Sequence, residues 1–336
     1  PRVKPHCQPA SITQPRFLNA ANGKLPPGGD RLVFIQGARN WGMALAIQID
    51  PAIKRLEIVA KQFVNSKLVG NYKSAFKGHG IEFDGYREYA PTDDASRIDW
   101  RASMRAGGKI LVKEFVEERN LDVGFLVDTS ATMVFGSAKK LKNEYAAEAV
   151  ASLSYAMLEA GDTVGVGLFS KETTNLIPPK GGLKHYYFLL HTLADPKFYG
   201  GRKNYGGMAD WALREFERGS LIFIVSDFIA ADNEFFLKLK ILAQKFDVVG
   251  LCVRDALDLQ LPNAGVVDLK DSLGSSQLMI DTKDVAEDYT HYAHQDLARV
   301  KNEFNAAGTD FVVLDSSEPF SGPIIRLFNQ RTKRLS

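Results

Sequence analysis

The chain of 336 residues contains only two cysteines, Cys7 and Cys252. Two thiols cannot build a framework of several disulfides, and they cannot supply the ligands of a cysteine zinc cluster. Cys252 lies in the apolar run Val248–Val253, where a free cysteine typically behaves as a small core residue. This sparing use of cysteine is typical of a reducing compartment, so we expect a cytoplasmic location.

The chain also lacks an excess of one charge and any long apolar run. Its 42 lysines and arginines nearly balance 40 aspartates and glutamates, which gives a formal net charge of +2. Nucleic-acid-binding domains usually carry a concentrated basic excess, so no nucleic-acid partner is expected. No stretch reaches the roughly 18 apolar residues that a membrane-spanning helix needs. The sequence therefore predicts no membrane span.

The first 42 residues differ from the rest of the chain. They are rich in proline, glycine and asparagine, show no clear periodicity, and lack the pattern of a signal peptide. Met43 opens a more regular segment, and apolar residues recur at helical spacing after Pro51. We expect the natural chain to start at Met43, and residues 1–42 to be a leader, a tag or a disordered extension.

The rest of the chain divides near residue 120. Residues 43–119 are predicted to hold an N-terminal helix and a glycine-rich segment with short strands. From 120 to 330, apolar strands alternate with helical stretches, which predicts an α/β domain with a mostly parallel sheet flanked by helices. Strands are predicted near 122–127, 163–169, 173–177, 221–225, 246–253 and 310–314, with a hairpin within 262–281. Helices are predicted near 139–160, 183–194, 208–218, 233–245 and 283–306.

The most informative motif follows the first of these strands. An apolar run ends at Asp128, and two hydroxyls, Ser130 and Thr132, follow at alternate positions. Ligands of open α/β sheets sit at the carboxyl ends of the strands, and oxygen ligands suit Mg²⁺. The spacing resembles the metal-ion-dependent adhesion site of von Willebrand factor A domains, with Thr132 in place of the last serine. The alternative is that these residues only cap the turn or helix that follows.

A second strand repeats this arrangement. The run Leu221–Val225 stops at Ser226 and Asp227, and both strand ends can open onto one crevice. Two carboxylates held close together repel each other unless a cation or a proton lies between them. Asp227 is therefore a predicted partner of Asp128 across a divalent cation, although it also has the position of a helix cap.

The same residues allow an enzymatic alternative. Phosphatases of the haloacid dehalogenase type use an aspartate nucleophile at a strand end, a second aspartate two residues later as the acid and base, and a Ser or Thr after another strand. Asp128 has the nucleophile's position, and Ser226 has that of the later hydroxyl. However, residue 130 is a serine, and a hydroxyl cannot replace a carboxyl in proton transfer near neutral pH. This phosphatase remains the alternative function.

A block of residues before the first strand carries a closer resemblance. In order, it contains Gly78-His-Gly80-Ile-Glu82-Phe-Asp84-Gly-Tyr-Arg87, Asp93-Asp94, Arg97-Ile-Asp99-Trp100-Arg101, Leu111-Val-Lys113, Glu118-Arg119 and the Asp128 loop. This ordered set resembles the bacterial family called domain of unknown function 58, and the similarity extends over about residues 45–330. Members combine this block with a von Willebrand A-like domain.

The resemblance implies a function. Such proteins are usually encoded beside AAA+ ATPases of the MoxR type, and they are thought to be partners or adaptors of these ATPases rather than enzymes. It also implies Mg²⁺ or Mn²⁺ bound by Asp128, Ser130, Thr132 and Asp227, with an open position for a partner's carboxylate. The family's metal sites usually take a further threonine. Met208 occupies that position here, and a thioether is a poor ligand for a hard cation.

The motif block itself allows two interpretations. Arg87, Arg97, Asp99 and Arg101 could form a docking face for the partner. Alternatively, Asp99 and an arginine form a bidentate pair that holds an irregular segment, with Trp100 as its apolar anchor. The sequence thus leaves three functions to compare: a protein-interaction module with a cation, a phosphatase, and a structural scaffold without a metal.

Overall fold

A six-stranded sheet forms the centre of the protein in the computed structural model. The structure describes residues 33–35, 49–63, 69–76, 82–91, 93–116, 120–171, 174–271 and 277–335. The predicted leader or tag, residues 1–42, lies outside these ranges apart from residues 33–35. The proposed start at Met43 also lies outside them.

Short elements precede the central sheet. They are β1 (Val33–Ile35), α1 (Ile49–Phe63), α2 (Val69–Phe76), β2 (Glu82–Glu88), α3 (Trp100–Arg105) and β3 (Leu111–Val116). The buried residues of α1 recur every three or four positions, as on the apolar face of an amphipathic helix. Strands β2 and β3 pair with each other as an antiparallel ribbon. The motif block of the sequence therefore forms this ribbon together with α3.

The later strands confirm the predicted sheet. They are β4 (Asp122–Asp128), β5 (Thr163–Phe169), β6 (Thr174–Lys180), β7 (Leu221–Ser226), β8 (Asp247–Arg254), β9 (Val266–Asp271), β10 (Gln277–Asp281) and β11 (Asp310–Asp315). The sheet has the order β11-β8-β7-β4-β5-β6. All neighbours in it run parallel except β6, which is an antiparallel edge strand containing Pro178 and Pro179. Strands β1, β9 and β10 form a separate antiparallel sheet.

Helices cover both faces of the central sheet. They are α4 (Lys142–Glu159), α5 (Leu183–Ala194), α6 (Tyr205–Glu215), α7 (Asn233–Lys245), α8 (Ala256–Leu259), α9 (Thr282–Ala306) and α10 (Ser321–Leu335). Helices α1, α4, α5 and α10 contribute to one apolar core, and α6, α7 and α9 contribute to the other. Phe125 and Leu126 are neighbours on β4 but belong to opposite cores, because successive strand side chains point to opposite faces. No helix among the described residues is long and apolar enough to cross a membrane.

Candidate functional site: an acid–lysine cluster at the strand ends

The predicted strand-end residues lie at one crevice. The order of the sheet reverses between β4 and β7, which are direct neighbours, and such a switch point is where doubly wound folds bind ligands. Asp128 ends β4, and Asp227 directly follows β7. Both carboxylates are at most 1% exposed. The structure therefore brings together the two acids that the sequence predicted to be neighbours.

The hydroxyl loop after β4 is folded around the carboxylate of Asp128. The Ser130 amide donates to Asp128 Oδ1 at 2.9 Å, and the Ser226 hydroxyl donates to Asp128 Oδ2 at 2.6 Å. The hydroxyls of Ser130 and Thr132 are 3.2 Å apart. All four predicted ligands, including Asp227, are thus buried at this crevice, and each oxygen of Asp128 already accepts a hydrogen bond.

Two lysines that the sequence analysis did not single out lie among these acids, Lys142 fully buried and Lys203 with 14% of its side chain exposed. On α4, Lys142 places its Nζ 3.0 Å from Asp227 Oδ2. In the loop before α6, Lys203 forms an ion pair with Asp227 Oδ1, and its Nζ lies 3.7 Å from Asp128 Oδ2. Neither lysine belongs to a recognisable motif. The signal that could have revealed them is general: two adjacent buried carboxylates require a positive charge.

Two further charged residues complete the group. The Asp258 carboxylate on α8 lies 2.8 Å from the Lys142 ammonium. Arg254 at the end of β8 is 3% exposed, its charge helps to lower the pKa of Asp227, and it forms an ion pair at 3.6 Å with Asp296. We call the set Asp128, Asp227, Asp258, Lys142, Lys203 and Arg254 the acid–lysine cluster. It contains three acids and three bases, so its charges cancel when all six groups are ionised. Charge balance of this kind is what permits ionised groups to be buried.

The pKa values follow from this arrangement. Burial acts to raise the pKa of Asp227, but the ammonium groups of Lys142 and Lys203 hold it well below its usual range. Burial acts to lower the pKa of Lys203, but Asp227, Tyr205 and Asp128 keep it above its usual value. Asp227 and Lys203 are therefore both charged at neutral pH. Each is stabilised by the opposite charge of the other.

The backbone after Asp227 is unusual. Phe228 has φ +51° and Ala230 has φ +55°, a left-handed conformation that residues with a Cβ rarely adopt. Hydrogen bonds hold this turn: the Phe228 amide donates to Ser226 Oγ at 3.0 Å, and the Ile229 amide donates to Asp227 Oδ1 at 3.0 Å. Strained backbone persists where the surrounding structure fixes it, and it concentrates at functional sites.

The donor set of the crevice does not fit a divalent cation. Both oxygens of Asp227 are engaged by ammonium groups, and both oxygens of Asp128 accept hydrogen bonds. An added divalent ion would place two further positive charges in a buried group of side chains that is already neutral, next to the cationic Lys203.

Met208 takes no part in the crevice. It is 2% exposed on α6, and it belongs to the apolar core formed with α7 and α9. Tyr205, the first residue of α6, does reach the strand ends, where its hydroxyl lies 3.0 Å from Ser226 Oγ. Lys203, in the loop before the helix, reaches Asp227. The loop just ahead of α6 therefore contributes an ammonium group where the resemblance implies a hydroxyl.

The geometry for phosphoryl transfer is also poor. Asp128 is 1% exposed, and its oxygens accept from Ser130 and Ser226, so neither oxygen is directed at an open space. Ser130 cannot serve as a general acid. No observation at this crevice favours the phosphatase alternative, which stays a prediction from the sequence.

In the motif block, the described bidentate pair involves Arg87. Its two terminal nitrogens lie 2.5 and 2.7 Å from the carboxylate of Asp93. Asp99 caps α3, where it accepts from the amides of Arg101 and Ala102. Arg97 lies in a short turn, Ala95–Arg97, and its side chain is outside the described part of the structure.

Trp100 is not the apolar anchor that the structural interpretation predicted. It is 63% exposed on α3, and Met104, one turn later, is 75% exposed. Arg101 and Arg105, also one turn apart, border an open depression of about 630 Å³ between α3 and the ribbon. We call Trp100, Arg101, Met104 and Arg105 the α3 surface. The anchor interpretation fails because α3 has a single buried side chain, Ser103.

The strand order and the acidic strand ends place the protein in the class of von Willebrand A-like α/β domains. Residues 85–299 match the family described as Protein of unknown function DUF58, and the chain belongs to this family. Uncharacterized proteins of Mycobacterium tuberculosis and Mycobacterium bovis are each 27% identical to it over 286 residues, which is 84% of this chain and 89% of theirs. These relatives extend the similarity beyond the matched family region.

Two solved structures are similar at lower identity. The conserved hypothetical protein BatB from Bacteroides thetaiotaomicron is 16% identical, with 64% of this chain and all of that chain covered and a TM-score of 0.44. A von Willebrand factor type A structure from Catenulispora acidiphila is 9% identical, with 64% of this chain and 42% of that chain covered and a TM-score of 0.36.

Proposed function

We propose that this protein is a non-enzymatic interaction module, a partner or adaptor of an AAA+ ATPase of the MoxR type, and that it docks through the α3 surface. The observation that carries the proposal is the exposure of Trp100 and Met104 on one short helix. Clustered apolar side chains that face water mark interaction sites. This helix lies within the region that the family shares.

The α3 surface combines two kinds of group that dominate binding energy at interfaces. Tryptophan and arginine are enriched among the residues whose truncation weakens protein complexes most. Within the described part of the chain, no acidic side chain pairs with Arg101 or Arg105. A cationic and apolar surface of this composition fits an acidic segment of the ATPase that also carries an apolar side chain.

Two other motif residues, Arg87 and Asp99, have structural roles that support this surface. The Arg87–Asp93 pair fixes the loop after β2, and Asp99 starts α3 by capping its first amides. The docking and structural interpretations of the motif block therefore apply to different residues. Arg87 and Asp99 hold the segment in place, whereas Trp100 and Arg101 face the solvent.

A direct binding measurement tests the proposal. The full chain is titrated by calorimetry into the MoxR-type ATPase encoded nearest to its gene, with the variants Trp100→Ala and Arg105→Glu. Loss of an interface tryptophan costs about 2 kcal/mol or more, which is at least a ~30-fold loss of affinity. Tyr292→Ala and Arg218→Glu are matched controls on other exposed surfaces. Binding that is absent in the wild type, or equally strong in Trp100→Ala, contradicts the proposal.

A further inference from the structure

The ammonium group of Lys203 lies between the two acidic strand ends. It forms an ion pair with Asp227 and donates to the Ile229 carbonyl at 2.9 Å. It also lies 3.5 Å from the Tyr205 hydroxyl and 3.7 Å from Asp128 Oδ2. An ammonium group has three donors, and this one is surrounded by oxygens on its available sides. We infer that Lys203 is the resident cation of this crevice and that the crevice assembles without a metal ion.

The net charge of the acid–lysine cluster supports this inference. With Lys203 present, the six groups of the cluster sum to zero, and they sum to −1 when Asp296, which pairs with Arg254 from outside the cluster, is counted with them. A divalent ion would therefore leave one or two excess positive charges. Without Lys203, the cluster would carry one excess negative charge, and two carboxylates would lose their nearest shared cation. Removing this one side chain should therefore turn a crevice that rejects divalent ions into one that accepts them.

The position of Lys203 lets its charge hold two loops together at the strand ends. The loop that carries it crosses the hydroxyl loop after β4, where the Gly200 amide donates to the Thr129 carbonyl at 2.7 Å, and the Ala131 amide donates to the Gly201 carbonyl at 2.8 Å. The ion pair between Lys203 and Asp227 connects these two loops to the end of β7, the neighbouring strand. A cation that is part of the chain cannot be removed by a chelator, so the crossing should persist at any metal concentration.

The test compares metal binding by the wild type and by Lys203→Ala. Calorimetric titration with Mn²⁺ and thermal unfolding in millimolar Mn²⁺ or EDTA are measured for both proteins. Lys197→Ala is the matched control, since this lysine precedes the same loop but is 67% exposed. We expect the wild type and Lys197→Ala to show no saturable Mn²⁺ binding and no change of melting temperature. Lys203→Ala should bind Mn²⁺ at least about tenfold more tightly than the wild type, and Mn²⁺ should raise its melting temperature.

Two results would overturn the inference. One is stoichiometric Mn²⁺ binding by the wild type that Asp128→Ala removes. The other is folded Lys203→Ala that gains no affinity for Mn²⁺. If Lys203→Ala does not fold, refolding of the wild type decides the question. Full recovery of circular dichroism in EDTA supports a built-in cation, whereas recovery that needs Mn²⁺ refutes it. These measurements use no partner, so the inference goes beyond the proposed function and can fail or hold independently of it.

Discussion

Lys142 and Asp258, which are 116 residues apart in sequence, form a buried ion pair with Nζ 2.8 Å from Oδ2. The pair joins the first turn of α4 to the short helix after β8, and the same ammonium group also reaches Asp227. The lysine side chain is only 1% exposed. Lys142 therefore connects three separate parts of the fold beneath the crevice.

We predict that Lys142→Met strongly destabilises the protein. Removing one partner of a buried ion pair leaves an uncompensated charge and costs about 3–5 kcal/mol, here with two carboxylates affected. Lys240→Met is the control, because Lys240 is 49% exposed and pairs with Glu303 at the surface, where such pairs contribute about 0–1 kcal/mol. Urea unfolding monitored by circular dichroism measures the free energy of unfolding of both variants. Equal losses in the two variants would contradict the proposed importance of the buried pair.

The low pKa of Asp227 predicts how stability changes with pH. A carboxyl whose pKa is depressed in the folded state stabilises the protein above its unfolded pKa of about 3.9, and this contribution disappears as the pH falls. Burial raises the pKa of Asp258, which acts in the opposite direction, so the wild type must be compared with Asp227→Asn. The variant should be less stable at neutral pH, and the difference should shrink by up to about 1.4 kcal/mol per pH unit below pH ~4. A difference in the free energy of unfolding that stays constant down to pH ~2 would refute this prediction.

A buried tyrosine attaches α2 to the central domain. The Tyr72 hydroxyl donates to Asp162 Oδ2 at 2.6 Å, and Tyr72 is fully buried. Tyr72→Phe should cost about 1.5–3 kcal/mol, because it removes a hydrogen bond to a buried charge. Tyr187→Phe removes the same kind of hydrogen bond, from its hydroxyl to Glu57, but at a 40% exposed ring where water can replace it. We therefore expect this control to lie within about 0.5 kcal/mol of the wild type. Chemical denaturation distinguishes the two. A Tyr72→Phe variant as stable as Tyr187→Phe would show that this bond does not hold α2 in place.

Much of the central domain could be predicted because its signals are local. The strand at 221–225 is a continuous apolar run, as expected of a strand covered on both faces. The predicted helix 233–245 matches α7, where Asp232 caps the first turn and accepts from the Phe235 amide. These features depend on residues within a few positions of each other, so a single sequence reveals them.

Other elements depend on distant contacts. Helix α10 was not predicted, and its Arg331 is held by Asp247 and Asp310 on two different strands. Dependence on distant contacts also explains why only part of the site could be predicted. Local spacing identified Asp128 and Asp227, but Lys203 lies in a glycine-rich loop whose sequence predicts only a turn. Its partner is 24 residues away, and only the folded sheet brings the two together.

The two prolines of β6 have a consequence for the behaviour of the protein in concentrated solution. Pro178 and Pro179 sit at the point where the pairing of β6 with β5 shifts in register, and neither has an amide hydrogen to offer. An exposed sheet edge otherwise attracts strands from other molecules. At these two positions the border of the central sheet offers no amide hydrogen to a foreign strand, which should help to protect the protein against edge-to-edge aggregation.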